Sequence, residues 1–225
     1  MTKLRNPIIE TMLEIGLTYN FPAEAVVGIL FSLLNDKYPN VQLKKSPIAN
    51  IPEEIRNFDP NLKNKPIHQI VCKDGFVGLG DKILCIGISI PYSSWDKYTE
   101  FINNIWSLLK SKNIIKGVSY ARLKYLNFFE ENIYNRINLT IQFGTEQINY
   151  ISTILKTEIP CKNNIVGGLQ ITNGVHVKNI ALQLDADGSL IDIQTFTNNI
   201  SIENLHDIVF LLHEQAENLF NKLIK

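Results

Sequence analysis

Two cations stand two residues apart in the run Val118-Ser-Tyr-Ala-Arg-Leu-Lys-Tyr-Leu-Asn127, where Tyr120, Arg122 and Lys124 alternate with Ser119, Ala121 and Leu123. Period-two alternation is the pattern of a β-strand, so these three side chains share one face with Val118 and Leu126. A guanidinium, an ammonium and a phenol on one face can hold an anion. The Arg would grip a carboxylate or phosphate through two N–H groups, with Lys adding a point charge and Tyr a hydroxyl or a stacking surface. The ordinary alternative is a solvated sheet face whose cations pair with carboxylates of a neighbouring strand. Sequence leaves both open. Tyr125 and Asn127 fall on the opposite face with Leu123, where burial with internal hydrogen bonds is expected.

Other chemistry is thinner. Asp185-Ala-Asp187-Gly188, followed by Asp192, could offer carboxylates to a divalent cation. It lacks the acidic ladder and terminal Glu of an EF-hand loop, and Asp-Gly is equally a hairpin turn. His206 and His213 lie two helical turns apart, about 10 Å of rise, which is too far to share a metal. His68 and His176 stand alone in strand-like runs. No G-x-S-x-G, H-E-x-x-H or C-x-x-C occurs, and Gly75, Gly78 and Gly80 precede no helix N-terminus that could cradle a phosphate. Sequence therefore assigns no catalytic residue, no metal site and no cofactor, and the balance leans away from an enzyme.

Composition narrows the partners. Lys+Arg and Asp+Glu are both 22, so no global field draws the chain to nucleic acid or to an anionic membrane. Cys72, Cys85 and Cys161 form a sparse, odd set that suits a reducing compartment. The opening Met1 to Pro7 has no apolar region after its charges. The most apolar run, Ala25 to Leu34, is half of the roughly 20 residues a bilayer span needs. A cytoplasmic protein without a membrane segment is expected.

The elements that position these residues follow from periodicity. Ile9 to Tyr19 alternates as a strand with one apolar face, and Pro22 opens a helix that runs to Lys37 and stops at Tyr38-Pro39. That helix is apolar almost all round from Val26 to Leu34, so it is either deeply buried or packed on a partner. Residues 40 to 65, with Pro47, Pro52 and Pro60, read as an irregular excursion. A meander follows: Ile67 to Lys73, Phe76 to Leu79 and Ile83 to Ile90, turning at Asp74-Gly75 and Gly80-Asp81-Lys82. Ser93 or Ser94 caps a helix whose stripe includes Trp95, Tyr98, Phe101, Ile102, Ile105, Trp106 and Leu109. This stripe reads as core, although Tyr92, Trp95 and Tyr98 could line a pocket mouth.

After the pivotal strand, Phe128 to Arg136 reads as a connector with one helical turn. Strands are expected at Asn138 to Phe143, Tyr150 to Ile159 and Ile165 to Thr172. A hairpin from Val175 to Asp185 and Ser189 to Phe196 follows, with Asn173-Gly174 and Asp187-Gly188 as turns. Ser201 caps a last helix with a stripe from Leu205 to Leu223. The expected fold is α+β: antiparallel sheets of about nine strands with three main helices on one face, in two closely packed halves, 1–130 and 131–225.

Short motifs along the chain resemble a sporadically distributed bacterial family of uncharacterised proteins. They are Asn6-Pro-Ile-Ile-Glu10, Tyr92-Ser-Ser-Trp95, Lys124-Tyr-Leu-Asn127, Leu155-Lys-Thr-Glu-Ile-Pro160 and Leu190-Ile-Asp-Ile193. That family opens on a Pro-Ile-Val-Glu-Ala-like strand and carries an Arg-Tyr-Ile-Asn strand motif. The chain departs from it with Lys124 where the family has Arg, and Arg122 two residues earlier; an ammonium does not reproduce the bidentate fork of a guanidinium. The resemblance implies a fold and no assigned chemistry.

Two functional expectations follow. The first is a non-enzymatic interaction module, a scaffold or inhibitor accessory to a bacterial stress or defence system. It would bind a protein partner, or associate with itself, through Val26, Ile29, Leu30, Phe31, Leu33 and Leu34. The second is an enzyme or binding protein for a nucleotide or phosphorylated small molecule that uses Tyr120, Arg122 and Lys124. Whether Lys45, Arg56 and the Pro-rich excursion close over a ligand is left open.

Overall fold

The computed structural model describes residues 6–59, 62, 65–147 and 152–225. Met1 to Arg5, Pro60 of the excursion and the start of the strand expected from Tyr150 lie outside the described residues.

The chain enters on β1 (Ile8–Tyr19), whose alternation buries Thr11, Leu13, Ile15 and Leu17 on one side. Pro22 then stands at the N-cap of α1 (Ala23–Lys37), and the helix ends where Tyr38, which precedes Pro39, turns extended. The excursion is more regular than its composition suggests. It adds an edge strand, β2 (Gln42–Lys45), then a 3-10 turn and a short helix, α2 (Glu53–Phe58). Four-residue and six-residue elements are too short to show a period, so sequence could not reveal them. The meander forms as β3 (His68–Val71), β4 (Gly75–Gly80) and β5 (Ile83–Ile88). Ser94 caps α3 (Trp95–Ser111), its Oγ accepting from Lys97 N at 3.3 Å. The pivotal strand, β6 (Ile115–Phe129), is longer than the run that announced it.

Three expectations fail after β6. Asn138 to Phe143 does not form a strand. Only a two-residue hairpin, β7 (Gln142–Phe143) with β8 (Glu146–Gln147), forms there. The preceding residues are tied instead to the chain's end, through an Ile137–Ile224 bridge and an Asn138 N to Leu223 O bond of 2.6 Å.

The Asn173-Gly174 and Asp187-Gly188 dipeptides are not turns either. After β9 (Thr153–Pro160), both lie inside a single long hairpin of β10 (Val166–Asn179) and β11 (Leu184–Thr197) that turns between Asn179 and Leu184. Gly174, at φ +73°, absorbs a bulge where the register shifts between Asn173 and Val175. Gly188 lets β6 come close, since a Cβ there would sit 2.0 Å from the Phe129 carbonyl oxygen. Both glycines serve a strand interior.

The last helix, α4 (Leu205–Leu223), is N-capped by Asn204 rather than Ser201. Ser201 and Asn204 hold each other just before it, Ser201 N donating to Asn204 Oδ1 at 2.7 Å and Asn204 N donating to Ser201 Oγ at 3.2 Å.

Nine strands join in one antiparallel sheet of order β2-β3-β4-β5-β1-β6-β11-β10-β9, so the expected α+β antiparallel architecture is borne out in a single large sheet. Cross-strand register places Ile70, Val77, Ile86, Leu13, Leu123, Thr195 and their neighbours on a common side. There they join Val26, Leu30 and Leu34 of α1, Tyr98, Ile105 and Leu109 of α3, and Val209 and Leu212 of α4 in one core. Each such apolar side chain contributes about 1.5–3 kcal/mol on burial. The other side of the sheet carries residues of opposite parity and a different chemistry.

Candidate functional site

β6 lies between β1 and β11, so every second residue of it faces neighbours on both sides. On the side away from the helices, Glu14 is the register partner of Arg122, Met12 of Lys124 and Gly16 of Tyr120. Tyr120 donates its hydroxyl to Glu14 Oε1 at 2.9 Å, and Arg122 Nη1 donates to the same oxygen at 3.3 Å. Lys124 Nζ reaches Glu10 Oε1 at 3.1 Å on β1 and Asp192 Oδ2 at 3.7 Å on β11. Gln194 donates to both Asp192 oxygens, at 3.2 and 3.3 Å. The Phe196 ring lies beneath the Arg122 guanidinium, 5.4 Å from its centroid, and beside Tyr120 at 5.7 Å. Gly16 makes room for the Tyr120 ring, because a Cβ would stand 2.4 Å from it.

The structure thus brings Tyr120, Arg122 and Lys124 together, and it brings their carboxylates too. Two cations face three acids, Glu10, Glu14 and Asp192, so the patch carries no surplus positive charge for an anion to neutralise. Burial raises Asp192 above the usual carboxylate range, against the Lys124 charge that lowers it. Burial first, and then the Glu14 charge, push the Tyr120 phenol upward, so it stays a hydrogen-bond donor. The pairing was foreshadowed in sequence, since Glu10, Met12 and Glu14 share one parity in β1.

The helix-facing side of β6 holds a second cluster that sequence did not assemble. Tyr125, which pairs in register with Thr11 and Ile193, shares a hydrogen bond of 3.0 Å between its hydroxyl and Nδ1 of His213 on α4. Trp95, the first residue of α3, stacks on the His213 ring at 3.8 Å and 15°. Its Nε1 is buried without a hydrogen-bond partner among the described residues. Tyr92 meets Tyr125 edge-on at 6.4 Å, and Tyr98 donates to Ile86 O at 2.7 Å. Burial pushes the Tyr92 phenol up to about 12 and raises Tyr125 further, while it lowers His213 against the opposing charge of Glu217. Both phenols and the His213 imidazole are therefore neutral at pH 7. The signal for this contact was the pairing of an apolar α4 stripe with a His at its edge, which names a helix face and not its partner.

Tyr92 also lines a cleft of about 980 Å³ where β1 begins and β6 ends, together with Asn6, Phe128, Glu131 and Arg136. Arg136 is held there by Glu131 at 2.6 Å. Trp95 and Tyr98 turn into the core instead, Tyr98 with no exposed surface.

The six α1 residues considered for an interface divide. Val26, Leu30 and Leu34 are fully buried in the chain's own core, Ile29 and Phe31 sit half-buried against it, and Leu33 is half-buried. Asp185 and Asp187 hold His176, with Nε2 2.8 Å from Asp185 and Nδ1 2.9 Å from Asp187. Those hydrogen bonds, Asp187 first, raise the imidazole above its usual value. Among the described residues, no group of His, Cys, Asp and Glu is arranged to hold a metal ion. Among the same residues, no helix is long and apolar enough to cross a membrane.

The chain matches no protein-family model and no curated protein sequence.

Proposed function

We propose that the protein is a non-catalytic interaction module that binds a second copy of itself through the helix-free face of its sheet. The observation that carries this is the pattern of that face. A cation row on β6 (Arg122, Lys124) stands beside an acid row on β1 (Glu10, Glu14), with Phe196, Tyr120, Met12 and Leu126 interleaved. A two-fold axis running along the strands between β1 and β6 would lay each copy's acid row over the other's cation row. Glu14 and Arg122 already stand at the same level as register partners. Sheets pack face to face about 10 Å apart, a distance these long side chains span. A formal net charge of +0 leaves no long-range repulsion between copies. Towards the sheet edge the surface continues through exposed Val166 and Ile154. The α1 face is a weaker docking surface, because Val26, Val27, Leu30 and Leu34 are spent on the core.

An accessory scaffold or inhibitor role suits such a module, and the resemblance to a sporadically distributed bacterial family supports that direction. Sedimentation velocity over a wide concentration range tests the pairing. A dimer is expected that weakens with added salt, is lost in Arg122→Glu, and returns when Arg122→Glu is combined with Glu14→Arg. A folded monomer at every concentration would sink the proposal.

A further inference from the structure

The cations of β6 are saturated by neighbours, but those of the edge strand are not. The ion pairs of the described residues engage Arg56, Arg122, Lys124, Arg136, His176 and Lys178, and neither Lys44 nor Lys45 is among them. Both lysines line a notch of about 300 Å³ at the corner of β2, β3 and β4, with Ser46, His68, Gln69 and Phe76. Among the described residues, no carboxylate lines it. Phe76 lies flat across β5, where a Cβ on Gly87 would meet its ring at 2.2 Å, so the ring is braced against the sheet. Pro47 and Pro66 add two more flat apolar walls, and Pro66 closes over Gly78, where a Cβ would stand 2.9 Å from it.

We propose that this notch binds a small anion built on a flat ring, of the class of a nucleoside monophosphate, with Lys44 on the phosphate and the ring between Phe76 and the prolines. Lys44, Gln69 and Gly78 share one side of the sheet, while Lys45 pairs with His68 on the side of the helices. The volume sits at the lower end of the roughly 300–1,000 Å³ typical of small-molecule sites, which suits one ring and one anionic group. Lysine is a point-charge phosphate binder, and an aromatic face stacks any base without needing its identity. Ser46 and Gln69 supply neutral donors.

The nearest acids stand in an adjoining cavity of about 280 Å³ that shares Lys45 and His68, lined by Glu24 and Asp81. Asp81 is taken there by Arg56 at 3.5 Å. That ion pair holds α2 beside the turn between β4 and β5, where Arg56 lines the adjoining cavity. Burial first, then the Lys45 charge, hold His68 below its usual value, and a dianion bound in the notch would oppose the Lys45 charge.

Isothermal titration with adenosine 5′-monophosphate, adenosine and inorganic phosphate tests the assignment on the full chain. Adenosine monophosphate should bind most tightly, and Lys44→Gln should weaken it about tenfold, the loss of one charge-assisted contact, with Lys45→Gln weakening it less. Both are exposed positions at which the fold does not depend on the charge. The His68 resonances should report an upward pKa shift on binding. Adenosine binding as tightly as its monophosphate would overturn the anion assignment, and phosphate binding as tightly would overturn the ring. No binding of the monophosphate, or binding indifferent to both lysines, would overturn the site.

Discussion

Arg122 and Leu123 are neighbours in sequence and belong to different physical regimes. Leu123 points toward the helices with no exposed surface, in a layer that continues through Leu13 and Ile86 on adjacent strands. Arg122 points the other way and keeps 41% of its side chain exposed above Glu14 and Phe196. On the helix side, each group is held by surface removed from water, and polar atoms are admitted only with partners, as where Thr195 donates to Leu212 O at 2.9 Å. On the free side, charges are held by each other and remain partly hydrated, which contributes little stability but fixes a pattern. One strand therefore carries the fold on one side and a patterned row of charges on the other.

The largest effect should follow from emptying the helix side. Leu123→Ala removes a fully buried side chain and should cost about 2–5 kcal/mol, because the surrounding core relaxes only in part. Urea unfolding followed by circular dichroism measures it. A cost under about 1 kcal/mol would mean that the two sides of β6 differ far less than their burial implies.

This asymmetry was legible in the sequence as periodicity and no further. Alternation in β1 and β6 named which residues share a side, and the α3 and α4 stripes named which helix faces seek cover. Partners were not legible. Nothing local to Tyr125 indicates His213 on α4, and nothing local to Lys124 indicates Asp192 on β11, since both contacts depend on strand order. Local dipeptides misled where tertiary packing won. Gly174 and Gly188 are glycines for a bulge and for the close approach of Phe129, and the hairpin turns elsewhere, at residues with weaker turn chemistry. Lys45 stood out in the sequence beside Arg56, but Lys44 and the strand that carries both were hidden because a four-residue edge strand has no period to detect.

The two sides should also answer acid in opposite senses. His213 titrates below 6.5 in the folded protein because burial disfavours its charge. The unfolded chain takes up that proton first, so the stability His213 contributes is present above pH 6.5 and is lost as pH falls toward its folded value. Asp192 titrates above 3.8 when folded. Its contribution is present below pH 3.8 and is lost as pH rises through the folded value, so it disfavours folding at neutral pH. Melting temperature measured from pH 7 to pH 4 should show His213→Gln flattening the fall that begins near 6.5, with Asp192→Asn raising stability at pH 7 relative to pH 4. Parallel curves for wild type and His213→Gln would place His213 in a wetter site than its stacking on Trp95 implies.

The smallest effect is the one that most sharpens the contrast. A double-mutant cycle of Arg122→Ala and Glu14→Gln should give a coupling of under about 1 kcal/mol in the monomer, since a half-exposed pair gains little over its hydrated state. The same cycle read on dimerisation should give more, because two copies closing over the rows exclude the water that screens them. If the monomer coupling reached about 3 kcal/mol, the value of breaking a buried pair, the free side would be stabilising the fold like the core does. The charge rows would then need no partner to account for them. If coupling is small in the monomer and large in the dimer, the ordering of cations and acids on the free side has a use only when something lies over it.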